Sequence, residues 1–109
     1  MKKVYLTIRY GKDKKAKGYI LDISKGGIGV ASSERIVKNS LIEIISKQHP
    51  IFYIKGRVVS VSERLKRNYR YRLGVKFVSM SKIKMHKIIQ FILGIEKRER
   101  PRMILLGLK

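Results

Sequence analysis

Tyr19-Ile20-Leu21-Asp22-Ile23-Ser24-Lys25-Gly26-Gly27-Ile28-Gly29-Val30-Ala31-Ser32 has the pattern of two short strands with a turn between them. Tyr19, Leu21 and Ile23 alternate with Ile20 and Asp22, which is the two-residue period of a strand. Ile28 and Val30 restart the alternation after Ser24-Lys25-Gly26-Gly27. Gly26 and Gly27 can take φ > 0 without steric cost, so the chain can turn sharply here. Asp22 and Ser24 carry the short polar side chains that bond nearby backbone N–H groups in such turns. Read from the residues alone, this is a well-built turn.

The chain around it is basic. Its 109 residues suit one domain, and a hydrophobic fraction of 44% is enough for a core. Lys and Arg number 27 against seven carboxylates, a net charge of +20. This excess favours an anionic partner, either nucleic acid, a phosphate ligand or an acidic lipid surface; a merely solvated basic surface is the other reading. Without cysteine there are neither disulfides nor thiolate metal sites. No apolar run reaches the roughly 20 residues of a membrane span. The first residues, MKKVYLTIRYGKDKK, lack the form of a secretory signal. A cytoplasmic location is expected.

Upstream of the turn, Val4, Leu6 and Ile8 alternate with Tyr5, Thr7 and Arg9 and predict a first strand. Residues 11–18, GKDKKAKG, predict a mobile polar hairpin loop. They are not a Walker loop, because no Gly-Lys-Ser/Thr and no helix follow. Gly27-x-Gly29 is likewise no dinucleotide fingerprint, since a strand follows where a helix is required.

Downstream, residues 32–40 predict a polar link and residues 41–46 a strand ended by Gln48-His49-Pro50. Residues 51–61 predict a long strand with a bulge or a close backbone approach at Gly56. Residues 62–68 predict a turn, and residues 69–78 a strand with Leu73, Val75 and Phe77 on one face. Met85, Ile88, Ile89, Phe91 and Ile92 then recur at helical spacing, predicting a helix over 82–93 with Ser79 or Ser81 as cap and Gly94 at C′. The expected fold is all-β with one C-terminal helix, a six-stranded antiparallel barrel between residues 3 and 78. Residues 1–95 form the barrel and helix; residues 96–109 form a basic tail or an added strand.

Asp22-x-Ser24-x-x-Gly27, flanked by Ile23 and Ile28, resembles the D/N-x-S-x-x-G motif of PilZ domains, small β-barrel receptors for the bacterial messenger cyclic di-GMP. Gly56-Arg57-Val58-Val59 and Leu73-Gly74-Val75-Lys76-Phe77 are similar to two later strand signatures of that family. The resemblance covers about residues 3–93. It implies a cyclic di-GMP ligand, no other cofactor, and a partner protein in signalling or motility. It also implies a binding site at Asp22, Ser24, Gly26 and Gly27.

Two phosphates and two guanines call for arginine, whose fork is bidentate and whose plane stacks. In the family these arginines form an R-x-x-x-R just before the first strand, where this chain has Met1-Lys2-Lys3. The same pattern occurs at Arg98-Glu99-Arg100-Pro101-Arg102, ahead of Met103-Ile104-Leu105-Leu106. Three readings of this tail stand. It folds back onto its own barrel and brings Arg98 and Arg102 to the turn. It reaches a second copy of the chain and makes a homo-oligomer. Or it is a basic tail at the carbonyl end of a helix.

His49 and His86 have no acidic or cysteine partner at ligand spacing, so no metal is expected, and no acid/base pair or Ser-His-Asp set is present. The chain is read as a non-enzyme. Residues 64–72 interleave arginine and tyrosine as single-strand nucleic-acid surfaces do, against the plainer reading of a basic hairpin. The alternative to a cyclic di-GMP sensor is therefore an adaptor without a nucleotide site, or a basic nucleic-acid-binding barrel.

Overall fold

A computed structural model describes residues 3–47 and 52–97, with side chains to residue 92. Six strands and one helix follow in order: β1 (Tyr5–Tyr10), β2 (Lys14–Ile23), β3 (Gly27–Ser32), β4 (Leu41–Ser46), β5 (Tyr53–Glu63), β6 (Tyr71–Phe77) and α1 (Lys82–Lys97). The strands close into a barrel in the order β1-β2-β3-β6-β5-β4, every pair antiparallel. Closure leaves no sheet edge, so all six strands find both neighbours within the chain.

The alternation seen in the sequence becomes the inside and outside of this barrel. Ile8 lies opposite Ile44, and Ile44 opposite Ile54, so three fully buried isoleucines form one inner row across β1, β4 and β5. Val30 opposite Leu73 and Ile28 opposite Val75 do the same across β3 and β6. The helix adds Ile88 and Ile92 to this core, with Phe91 packed against it and set edge-on to Phe52. Removing such large apolar surfaces from water is the main force holding the barrel closed. The link at residues 32–40 is less polar than its composition suggests, because Ile36 is 1% exposed and belongs to the core.

Three details of the sequence reading are corrected, and two alternatives that it left open are settled. Residues 11–18 are mostly strand: only residues 11–13 form the turn, and Lys14 to Gly18 pair with β1 from Tyr10 to Leu6. The lysine-rich composition hid an ordinary alternation in which Ala16 and Gly18 face inward and Lys15 and Lys17 face out, with Lys14 exposed at the strand's start. Positive φ at Gly11 (55°) and Asp13 (61°) makes the tight reversal. Gly56 is a close approach and not a bulge, since a Cβ there would lie under 3.0 Å from a Val75 methyl; the bulge falls between Val58 and Ser60.

The turn and the later strands shift as well. β5 runs two residues past Val61, and β6 begins at Tyr71, so the connecting turn is displaced toward residues 64–70. The helix passes through Gly94 to Lys97, so Gly94 is interior and not C′. At its start Ser81 is the cap, its Oγ accepting from the Lys84 N–H at 3.1 Å, whereas Ser79 sits at φ 54° ahead of it. His49 and Pro50 lie outside the described residues.

One polar cluster sits on the outer wall away from the turn. The Tyr53 hydroxyl donates to Glu43 Oε2 at 2.5 Å, and Arg9 Nε lies 3.5 Å from Glu43 Oε1. Holding its proton on a carboxylate raises the Tyr53 pKa above the usual phenol value. Because the folded state binds that proton more tightly, the bond's contribution is present below the ordinary phenol pKa and is lost as pH rises through the raised one. In an alkaline titration followed by tyrosinate absorbance, one of the six tyrosines ionises late. Tyr53→Phe removes this late step and Glu43→Gln moves it down; a titration unchanged by both would exclude the assignment.

Candidate functional site on the outer face of strand β3

The turn between β2 and β3 is closed by the Ser24 N–H donating to the Gly27 carbonyl at 2.9 Å. Neither Gly26 nor Gly27 is in the left-handed region, so positive φ is not why glycines stand here. Gly27 is required by proximity instead. A Cβ on it would lie under 3.0 Å from the Val75 carbonyl oxygen, backbone against backbone. A Cβ on Gly26 would meet nothing within 4 Å, and the Gly26 carbonyl is held by the Phe77 N–H at 3.1 Å. The turn is thus tied to the end of β6 and presents an open backbone to solvent.

The register continues this face along β3, where Gly29 and Ala31 are buried. Ile28 and Val30 point inward, so Gly27, Gly29 and Ala31 form the outer face. That face carries no side chain larger than a methyl. Outer positions of the neighbours flank it in rows. Tyr19 on β2 and Arg72 on β6 lie either side of Ala31; Asp22 and Gly74 lie either side of Gly29; Lys76 lies beside Gly27. A slip in the β2 register between Ile20 and Asp22 carries Asp22 outward against Gly29.

Asp22 does not cap the turn as its position in the sequence suggested. Its Oδ2 accepts from Arg72 Nη2 at 2.7 Å, across the track from β2 to β6. The pair lies directly over Gly29, where a Cβ would be 2.6 Å from Asp22 Oδ1 and 2.8 Å from Arg72 Nη2. Gly29 is therefore the space in which the pair forms. The two side chains are 60% and 42% exposed, so the bridge is worth at most about 1 kcal/mol and opens readily. Ser24 also departs from expectation: its hydroxyl donates to the Gly27 carbonyl at 3.4 Å and accepts no backbone N–H.

At the far end of the track the Tyr19 ring is edge-on to Tyr5 and to Tyr69. Lys3 Nζ stands 4.8 Å and Arg64 Cζ 5.7 Å from its centroid, and Arg64 also donates to the Tyr69 carbonyl at 2.9 Å. Arg70 lies over Tyr71 in the same way. The Arg/Tyr alternation of residues 64–72 is thus spent on contacts within the hairpin and with β2, and does not lay out a row of open rings. Among the described residues no group of three or more His, Cys, Asp or Glu could hold a metal ion. No described helix is long and apolar enough to cross a membrane.

The structure brings together Asp22, Ser24, Gly26 and Gly27 from the sequence-predicted set; Arg98 and Arg102 lie outside the described residues. It adds Gly29 and Arg72. Their signal was in the sequence: Leu73, Val75 and Phe77 facing inward puts Arg72 and Lys76 outward, and Gly27-x-Gly29-x-Ala31 is bare on one face. What joins Arg72 to Asp22 is a strand pairing across 50 residues.

This surface can do three kinds of chemistry. Asp22 offers only acceptors, and so suits a donor edge such as that of guanine. Arg72 offers a planar fork for an anion. The backbone of Gly26 and Gly27 lets a flat or extended ligand approach closely, and Gly29 is uncovered only when the pair over it parts.

Among solved structures the chain is similar to the PilZ domain with c-di-GMP of YcgR from Escherichia coli. The TM-score is 0.71 at 16% identity, over 93% of this chain and 87% of that one. It is similar to the PilZ domain of CeSA from a cellulose-synthesizing bacterium, with a TM-score of 0.60 at 14% identity, over 87% and 94% of the two chains. YcgR in complex with c-di-GMP from Escherichia coli gives a TM-score of 0.62 at 19% identity, over 95% of this chain and 46% of that one. No relative is found among curated proteins. The sequence model of the PilZ domain matches residues 3–94, almost the whole of the barrel and helix, and by that match the chain belongs to the PilZ domain family.

Proposed function

We infer that this domain is a cyclic di-GMP receptor that acts on a partner protein in the bacterial cytoplasm, without catalysis of its own. The observation that carries the reading is the position of Asp22-x-Ser24-x-x-Gly27. Its carboxylate, hydroxyl and glycines lie together at one end of a bare track on the barrel's outer wall. A membership of the PilZ family over residues 3–94 supports it, as does a fold shared with a domain whose structure holds c-di-GMP. In this reading Asp22 takes a donor edge of a guanine, and Ser24 and the backbone of Gly26 and Gly27 receive the adjoining sugar-phosphate. Arg98 and Arg102 close on the phosphates, either from the same chain or from a second copy. The basic surface, +20 overall, speeds the encounter with a dianion.

Titration calorimetry with cyclic di-GMP, at two salt concentrations and with GMP as control, tests this. Wild type binds the cyclic dinucleotide and not GMP. Asp22→Ala weakens binding by roughly 10- to 100-fold, the value of a hydrogen-bonded charge of about 1.5–3 kcal/mol, while thermal unfolding stays close to that of wild type because the side chain is exposed. Absence of binding by the folded wild type rejects the reading and leaves an adaptor without a nucleotide.

A further inference from the structure

We propose that Arg72 on β6 takes one of the two phosphates of the ligand, and that it does so by exchanging Asp22 for it. This rests on the cyclic di-GMP reading above, and adds to it a cation from the barrel itself.

Three observations lead here. First, the ligand's two phosphates call for planar cations, and Asp22, Ser24, Gly26 and Gly27 supply none. Second, of the described arginines around the track, Arg72 is the one whose guanidinium lies over the bare backbone of β3, 2.8 Å from where a Gly29 Cβ would stand. Arg64 is taken up by the Tyr69 carbonyl and the Tyr19 ring, and Arg70 stands over Tyr71. Lys76 brings charge to the other end of the track but no fork. Third, among the described residues the Arg72 side chain bonds to Asp22 alone, by a single contact from one terminal nitrogen at 2.7 Å, with both side chains substantially exposed. The remaining donors of its fork, on a side chain 42% exposed, are available to an oxyanion.

The exchange is favourable on both sides. In the free domain, Asp22 and Arg72 neutralise each other over Gly29. A guanine edge that donates to Asp22 competes for that carboxylate, and a phosphate that accepts from Arg72 competes for the guanidinium. A ligand bearing both groups opens one bridge and forms two charge-assisted contacts in its place. A ligand bearing one of them leaves the other ion without its partner. The pair thus selects for a molecule in which a guanine edge and a phosphate are spaced as Asp22 and Arg72 are, across a single strand of the sheet. Gly29 is the residue that allows both states, because any side chain there would occupy the space of the bridge.

The test is calorimetric titration of the full chain with cyclic di-GMP, for wild type, Arg72→Ala, Arg72→Lys, Asp22→Ala and the double Asp22→Ala/Arg72→Ala variant. Thermal unfolding of each is recorded alongside. Arg72→Ala is expected to weaken binding roughly 10- to 100-fold, and Arg72→Lys to recover only part of it, since charge returns without the fork. The deciding comparison is the double variant with Asp22→Ala. If Arg72 touches the ligand, the double variant binds more weakly than Asp22→Ala alone. If Arg72 only positions Asp22, the two bind equally and the proposal is overturned. It is overturned also if Arg72→Ala binds as wild type does, or more tightly, which would make the bridge a plain barrier. Failure of folded wild type to bind cyclic di-GMP removes the receptor reading and this proposal together. Wild-type binding with an indifferent Arg72 removes this proposal alone.

Discussion

Gly27→Val lowers the melting temperature of the domain by on the order of 10 °C, whereas Gly26→Val one residue earlier shifts it by no more than about 3 °C. The two glycines are neighbours in one turn and look equivalent in the sequence. In the folded chain they are not. A Cβ on Gly27 falls under 3.0 Å from the Val75 carbonyl oxygen and within 3.3 Å of Lys76 Cα, and backbone on both sides of the contact leaves nothing flexible to give way. Relief requires β3 and β6 to part where Gly27 pairs with Lys76, at the mouth of the candidate site. Overpacking of this kind costs about 1–3 kcal/mol, and a domain of this size loses about 4–8 °C per kcal/mol. Gly26 has open space at its Cβ and an ordinary φ, so a side chain there is only another exposed turn residue. Thermal unfolding followed by circular dichroism checks both. Equal losses from the two variants would show that the turn's own conformation is the constraint, and the strand approach would be rejected.

Replacing Arg98 and Arg102 together by alanine weakens cyclic di-GMP binding by several kcal/mol, because each charge-assisted contact is worth roughly 1.5–3 kcal/mol. The ligand has two phosphates and two guanines, and the turn supplies one carboxylate, one hydroxyl and backbone. Even with Arg72 engaged, one phosphate and the guanine faces remain to be met by planar cations, and Arg98-x-x-x-Arg102 has the spacing. Lysine at both positions restores only part of the loss, since the fork and the stacking plane do not return. Removal of residues 98–109 reproduces the alanine pair and leaves the barrel and the helix over Lys82–Lys97 folded. The measurement is calorimetry on each variant beside its thermal unfolding. A shortened chain that binds as tightly as the full one would exclude the tail and leave Arg72 and the lysines of the track as the phosphate ligands. Mixing the shortened chain with full-length Asp22→Ala distinguishes the two geometries: recovered binding means that the tail acts on a second copy, and none means that it acts on its own barrel.

Periodicity was enough for the strands and the helix because alternation at two residues and at 3.6 is a local property. Val4, Leu6 and Ile8, Ile28 and Val30, and Leu73, Val75 and Phe77 all take the inward or core-packed positions that their spacing implied. The Asp22-x-Ser24-x-x-Gly27 motif was legible for the same reason, being contained within one turn. Where composition and period disagreed, composition misled. Lys15 and Lys17 read as loop, yet in a barrel wall the outward position of a strand accommodates a lysine as well as any other residue.

The candidate site was legible in its residues and not in its geometry. By itself the sequence determined a basic domain of one antiparallel barrel and one helix, with a turn of the D-x-S-x-x-G type. Tertiary structure alone decided that Gly27 is needed for strand approach and not for φ, and that Gly29 is a space for two side chains. It decided also that the partner of Asp22 is Arg72. The physical reason is that each of these depends on β6 lying beside β3. That adjacency is fixed by closing the barrel, when β6 arrives from some 50 residues further along the chain, and no local pattern records which strand will arrive there.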